Sequence, residues 1–121
     1  MQWIDKEKLR NELLAGTFLN LGSANAVEIA AGVGFDWLLI DLEHGSGSLG
    51  DLRGMLQACR CAGAAPVVRI RSLDAATVKF VLDSGAAGIM FPFVSSVEQA
   101  RLAVRSVKYP PEGERGVAGV I

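Results

Sequence analysis

The sequence predicts a parallel α/β fold, and three observations carry the prediction. Trp37-Leu38-Leu39-Ile40 is an unbroken apolar run of the kind a strand makes when both its faces are buried. A strand pattern followed by a helix pattern recurs four times, with strand starts roughly 20–29 residues apart. Glycines stand where the helix patterns end, at Gly16, Gly32 and Gly34, Gly63 and Gly85. Units of this size join parallel strands by right-handed crossovers. Two architectures accommodate them: an open doubly wound sheet, and one half of a (β/α)8 barrel, a fold of about 250 residues.

Each element has its own local cause. Ile4, Leu9, Leu13 and Leu14 form a rough apolar stripe that predicts a helix over 4–15, closed by Gly16. Thr17-Phe18-Leu19-Asn20-Leu21 reads as the first strand. Ser23 or Asn25 caps a helix over 26–31. The second strand runs through Trp37–Asp41, and Gly45-Ser46-Gly47-Ser48 is a flexible loop. Leu49, Leu52, Met55, Leu56 and Cys59 share one face of a helix over 49–62. Pro66-Val67-Val68-Arg69-Ile70 is a third strand, its proline at the tolerated first position. Asp74 caps a helix over 75–84, and Gly88-Ile89-Met90-Phe91-Pro92 is the fourth strand. Ser95 or Ser96 caps a helix over 97–107, with Glu98 at capping-box distance from Ser95.

Composition narrows the function classes. Half of the residues are apolar and 21% are charged, enough for a core and too apolar for a disordered segment. The net charge of −1 is made of interspersed signs, so no basic stripe for nucleic acid is expected. The charged start, Met1-Gln2-Trp3-Ile4-Asp5-Lys6-Glu7-Lys8, is unlike a signal peptide, and no apolar run is long enough for a membrane span. Cys59 and Cys61 lack the spacing of a redox or zinc pair and read as reduced residues on a helix, with the cytoplasm as the expected compartment. No linker divides residues 1–121, which make one domain or part of one.

The chemistry gathers where the second strand ends. Asp41, Glu43 and His44 follow its apolar run, at the edge where parallel α/β folds keep their active sites. Each alone would serve as a helix cap or solvated loop residue; together they point to proton transfer and metal organisation. Arg69, at the end of the third strand, faces the same edge. There it holds a carboxylate or neutralises an enolate oxygen, or it bridges to Asp41 or Glu43. Arg71 is a weaker candidate of the same kind. Asp83 stands at a helix C-terminus, an awkward place for an acid, either solvated there or paired with a histidine, of this chain or of another subunit. Gly45, Gly47 and Gly50 match a dinucleotide fingerprint in form. Leu42-Glu43-His44 separate them from the strand, and the acids would repel a pyrophosphate.

In order, Gly34-Phe35-Asp36-Trp37-Leu38-Leu39-Ile40-Asp41-Leu42-Glu43-His44, Pro66-Val67-Val68-Arg69, Leu82-Asp83-Ser84-Gly85, Pro92 and Tyr109-Pro110-Pro111-Glu112-Gly113-Glu114-Arg115-Gly116 resemble the pyruvate-specific, metal-dependent class II aldolases of the citrate lyase β-subunit superfamily. The resemblance implies a (β/α)8 barrel, here its first four βα units, with residues 1–121 as the N-terminal half of one barrel domain. It implies a homo-oligomer that cleaves 4-hydroxy-2-oxo acids to pyruvate and an aldehyde. It makes His44 the base, Arg69 the contact to the pyruvate keto oxygen, and Asp83 the partner of the histidine across a subunit interface. Asp41 and Glu43 would hold waters of a divalent magnesium, manganese or cobalt ion. The ion's direct ligands and the carboxylate-gripping backbone belong to later strands, so low activity is expected of this chain alone. A non-catalytic half-barrel assembly module and a small dinucleotide-binding domain are the alternatives.

Overall fold

The computed structural model describes residue 4 and residues 6–119. Its elements are α1 (Lys6–Asn11), β1 (Gly16–Leu19), α2 (Ala24–Val33), β2 (Trp37–Asp41), α3 (Leu49–Cys61), β3 (Ala65–Arg69), α4 (Ala75–Asp83), β4 (Gly88–Met90) and α5 (Val97–Val107). The strands form one parallel sheet in the order β1-β2-β3-β4, so chain order and spatial order coincide. That is the winding of a barrel wall; a doubly wound sheet reverses its order at a switch point.

Strand alternation divides the side chains between two faces. Leu38, Ile40, Leu42, Val68 and Ile70 join Val27, Leu52, Met55, Leu56, Cys59, Val78 and Val81 in the core between sheet and helices. On the other face, Trp37, Leu39, Val67, Gly88 and Met90 line a groove of about 380 Å³ that Ile4 and Leu9 also border. Phe18 and Met90 are partly exposed there. Both edge strands, β1 and β4, have unpaired outer sides among the described residues.

The structure differs from the sequence-based expectation at several points, each for a physical reason. The first helix stops at Asn11. Ala15 instead exchanges hydrogen bonds with Asp36: its N–H reaches the Asp36 carboxylate at 2.8 Å, and its carbonyl accepts the Asp36 N–H at 2.8 Å. Leu13 is left exposed rather than on a helical stripe. Gly16 therefore opens β1 rather than closing α1, and sits opposite Trp37, whose indole would collide with any side chain there. Gly32 lies within α2; Gly34, at φ 105°, is the residue that ends it. The loop before α3 is packed rather than flexible: buried Gly47 lies against Gly22, the Ser46 N–H donates to the Asn20 carbonyl at 2.8 Å, and Asp51 accepts from both the N–H and hydroxyl of Ser48. Before α5 the cap is Ser96, which accepts the Gln99 N–H, while the Gln99 side chain rather than Glu98 turns back to the Ser95 N–H.

Of the two cysteines, neither is in a disulfide. Cys61 is exposed, and Cys59 is buried in α3, where desolvation pushes its thiol up to about 11. Among the described residues, no helix is long and apolar enough to cross a membrane.

Candidate active site

The register of β2 against β3 places Asp41 directly beside Arg69. Both side chains stand on the face away from the helices, at the C-terminal edge of the sheet. Arg69 Nε and Nη2 donate to Asp41 Oδ1 and Oδ2 at 2.9 and 2.7 Å, a fork-to-fork pair. Asp41 also accepts Asn20 Nδ2 at 3.1 Å and the backbone N–H groups of Glu43 and His44 at 3.0 and 3.2 Å. The carboxylate has no exposed side-chain surface, so this saturation is what makes its charge tolerable. The Arg69 guanidinium, ahead of the backbone donors, holds the Asp41 carboxyl down to about 2. Reciprocally, the Asp41 carboxylate raises the pKa of Arg69.

The hydrogen bonds from Glu43 and His44 to Asp41 turn the chain sharply as it leaves β2. Glu43 Oε2 then lies 3.3 Å from Arg69 Nε and 3.7 Å from His44 Nε2. The His44 ring is 68% exposed, so water or a substrate can reach it. Arg69 lies over the Phe18 ring, 5.4 Å from its centroid. Five donors belong to a guanidinium, and the two on Nη1 have no partner among the described residues. Glu43, His44, Arg69, Met90, Phe91, Pro92 and Phe93 together line an open cleft of about 270 Å³. It offers an oriented cation, a carboxylate and an accessible imidazole within one small volume.

Other candidates stand elsewhere. Arg71 donates from Nε to the Leu42 carbonyl at 2.8 Å, which ties the ends of β2 and β3 together. Asp83 ends α4, at the opposite rim of the sheet from His44 of the same chain, and its Oδ1 accepts Arg115 Nη2 at 2.8 Å. A side chain on Gly45 would collide with the Asp41 carbonyl, and one on Gly47 would crowd Gly22 and Met55. These glycines serve close loop packing, and Asp51 already occupies the start of α3.

Asn20 and Phe93 are site residues that sequence reasoning missed. Asn20 was readable only as the tail of a strand, although its position one residue beyond β1 puts it level with Asp41. Phe93 follows β4 in a left-handed conformation, φ 52°, and is 85% exposed. Nothing in a Pro-Phe-Val run announces that conformation.

The fit of a metal ion can be judged from the donors. Among the described residues no three of His, Cys, Asp and Glu cluster as a metal would require. Asp41 has spent its oxygens on Arg69, Asn20 and backbone N–H groups, and Glu43 faces Arg69 and His44. These residues do not make a divalent-metal ligand set by themselves.

Comparison with known proteins shows the family to which the chain belongs. The HpcH/HpaI aldolase/citrate lyase family profile matches residues 14–121. A 2-dehydro-3,6-dideoxy-6-sulfogluconate aldolase from Pseudomonas putida is 49% identical over 105 residues, which is 87% of this chain and 41% of that protein. A 2-keto-3-deoxy-L-rhamnonate aldolase of Escherichia coli K12 is 43% identical over 96% of this chain and 44% of its own length. A crystal structure of a family member from Burkholderia cenocepacia J2315 superposes with a TM-score of 0.89 at 40% identity, covering 96% of this chain and 48% of that one. The chain thus spans less than half the length of these relatives and resembles one half of their barrel. With a family match across nearly the whole chain and the same parallel βα winding, the protein belongs to the HpcH/HpaI aldolase/citrate lyase family.

Proposed function

We propose that this chain is the N-terminal half of a pyruvate-forming aldolase barrel, and that its cleft supplies the base and the cation for aldol cleavage of a 4-hydroxy-2-oxo acid. One observation carries the reading: Arg69, fixed by Asp41, presents uncommitted donors beside Glu43 and the exposed imidazole of His44. In cleavage, the base removes the proton of the C4 hydroxyl as the C3–C4 bond breaks. The bonding pair moves onto C3–C2 and the C2 carbonyl becomes an enolate oxygen. The aldehyde leaves, and a proton delivered to C3 gives pyruvate. His44 is the group placed to take and return these protons, and the Arg69 guanidinium is the charge placed to hold the enolate oxygen. On the family resemblance, Asp83 is assigned to the His44 of a neighbouring subunit, and a homo-oligomer goes with that assignment; the His44 of its own chain lies at the other rim. Asp41 and Glu43 stand beside the region where waters of a divalent ion would lie, and its direct ligands must come from the other half of a complete barrel.

The test is deuterium exchange into the methyl group of pyruvate, followed by NMR with the protein as its host makes it and with this chain mixed with a family C-terminal half. Exchange is expected once both halves are present, and His44→Ala is expected to lower it by about 10²–10⁴-fold. Undiminished exchange in H44A would remove the base role. A second reading, a non-catalytic assembly module, draws on the apolar groove around Leu39 and Met90 and on the two unpaired edge strands. It requires a discrete, cooperatively melting oligomer of this chain that shows no exchange with either partner.

A further inference from the structure

We infer that Arg115 is a positioning residue for Asp83, and that the segment 109–116 is folded to deliver it. This rests on the assignment of Asp83 to a neighbouring subunit's histidine. The observations behind it lie wholly within one chain.

Asp83 ends α4, where the helix presents its own negative pole. Left alone, a carboxylate there is repelled by the last carbonyls and swings into solvent. Arg115 opposes both charges: its Nη2 donates to Asp83 Oδ1 at 2.8 Å. The Arg115 and Asp83 side chains are only 15% and 23% exposed, respectively. The guanidinium lies over the Tyr109 ring, 4.6 Å from the centroid, so it is held from below as well as from the side. Its Nε is buried without a hydrogen-bond partner among the described residues. An unsatisfied buried N–H is a cost, and a chain that needed only a surface ion pair would not incur it.

The backbone explains how the arginine gets there. After α5 the chain folds back on the helix end. The Gly113 N–H donates to the Tyr109 carbonyl at 3.0 Å, the Glu114 N–H to Arg105 at 2.8 Å, and the Arg115 N–H to Lys108 at 2.9 Å. Gly113 passes so close to the Arg105 and Lys108 carbonyls that a side chain would collide with both. Tyr109, Gly113 and Arg115 thus act as one device: a ring beneath, a close backbone approach, and a cation aimed at the α4 terminus. One Asp83 oxygen is taken by Arg115, and Oδ2 has no partner among the described residues. A carboxylate with one oxygen pinned and the other open is suited to accept a hydrogen bond from an incoming imidazole.

The experiment compares wild type, R115Q, D83N and R115Q/D83N as the host makes the protein. Pyruvate proton exchange is read against pH, with melting temperature recorded alongside. R115Q is expected to lower exchange by about 10–100-fold, the cost of roughly a 1 Å misplacement. It should then lie close to D83N, and the double variant should be no slower than D83N alone. A purely structural arginine would shift the melting temperature and leave the rate of folded protein unchanged. Losses that multiply in the double variant would likewise overturn the proposal. Should R115Q fail to fold, R115K carries the same test. Its ammonium keeps the charge but cannot lie flat on Tyr109, so a smaller loss, masked by D83N, is expected. The Asp83 position in a crystal structure of the arginine variant decides the matter apart from turnover. A carboxylate that stays in place without Arg115 refutes the claim, and one that swings away supports it. A wild-type protein without exchange would fell the aldolase reading, while the crystallographic position of Asp83 would still decide whether Arg115 places it.

Discussion

Among the described residues two arginine–aspartate pairs stand one at each rim of the sheet, and they are built by different means. Asp41–Arg69 is a product of strand register: two residues directly opposite one another on adjacent parallel strands, locked by the ladder between them. Asp83–Arg115 joins residues 32 apart through a loop that folds back on a helix end. The first aspartate is fully buried and accepts five hydrogen bonds; the second gives one oxygen to its arginine and keeps the other open. A saturated carboxylate has little left for chemistry and orients its partner. A half-used carboxylate has capacity to receive another group. On this contrast, Arg69 is the functional member of the first pair and Asp83 the functional member of the second.

The most severe way to break the contrast is Asp41→Ala. Removing one member of a buried pair strands the other charge and is expected to cost about 3–5 kcal/mol of stability. Asp83→Ala removes a carboxylate that is 23% exposed and leaves Arg115 its stacking on Tyr109, so it is expected to cost less, about 1–2 kcal/mol. Urea unfolding of both variants measures the difference, and equal costs would mean that the two rims are structurally equivalent. His44→Ala separates chemistry from stability at the upper rim. Its ring is largely exposed, so the unfolding midpoint should hardly move while pyruvate exchange collapses.

Acid sharpens the comparison next. The ordinary value for Asp41 is 3.8, and Arg69 holds it down to about 2 in the folded protein. The unfolded chain therefore binds this proton first as pH falls. Above about pH 5 both states are ionised and the contribution is whole; it drains away between about pH 4 and 2, and amounts to about 2 kcal/mol. Asp51 and Asp74 are also lowered, by the Ser48 and Thr77 groups that donate to them, and they titrate in any variant. The difference between wild type and D41N across pH 6 to 2 therefore isolates Asp41. Parallel curves would show that the pair carries no pH-linked stability.

Sequence made one rim legible and hid much of the other. Asp41, Glu43, His44 and Arg69 were readable because strand ends are marked by where an apolar run stops, and parallel winding sends such ends to one edge. The succession of four βα units followed from the same periodicity, whereas the choice between a barrel wall and a doubly wound sheet did not. The lower rim lacked such a marker. The Asp83 helix position was visible, but nothing in the sequence ties Arg115 to it, since a fold-back loop has no period to read. Asn20 and Phe93 escaped for related reasons: one gains meaning only from its neighbour across the sheet, the other from a backbone angle its residue type does not suggest. The short first helix was lost to a tertiary contact, the Ala15–Asp36 exchange, which outweighs a weak apolar stripe.

The gentlest prediction tests whether the lower rim is built by its loop. Gly113→Ala touches neither Arg115 nor Asp83, yet its methyl group would meet the Arg105 and Lys108 carbonyls, which are backbone and cannot rotate aside. The fold-back must open, at an expected cost of about 1–2 kcal/mol for local overpacking. If the loop exists to place Arg115, G113A loses proton exchange in the same pattern as R115Q and is masked in the same way by D83N. Loss of stability with exchange intact would mean that Arg115 finds Asp83 without the loop's guidance. The pairing would then be a property of the two side chains, as it is in any surface ion pair, and the two rims would differ only in burial.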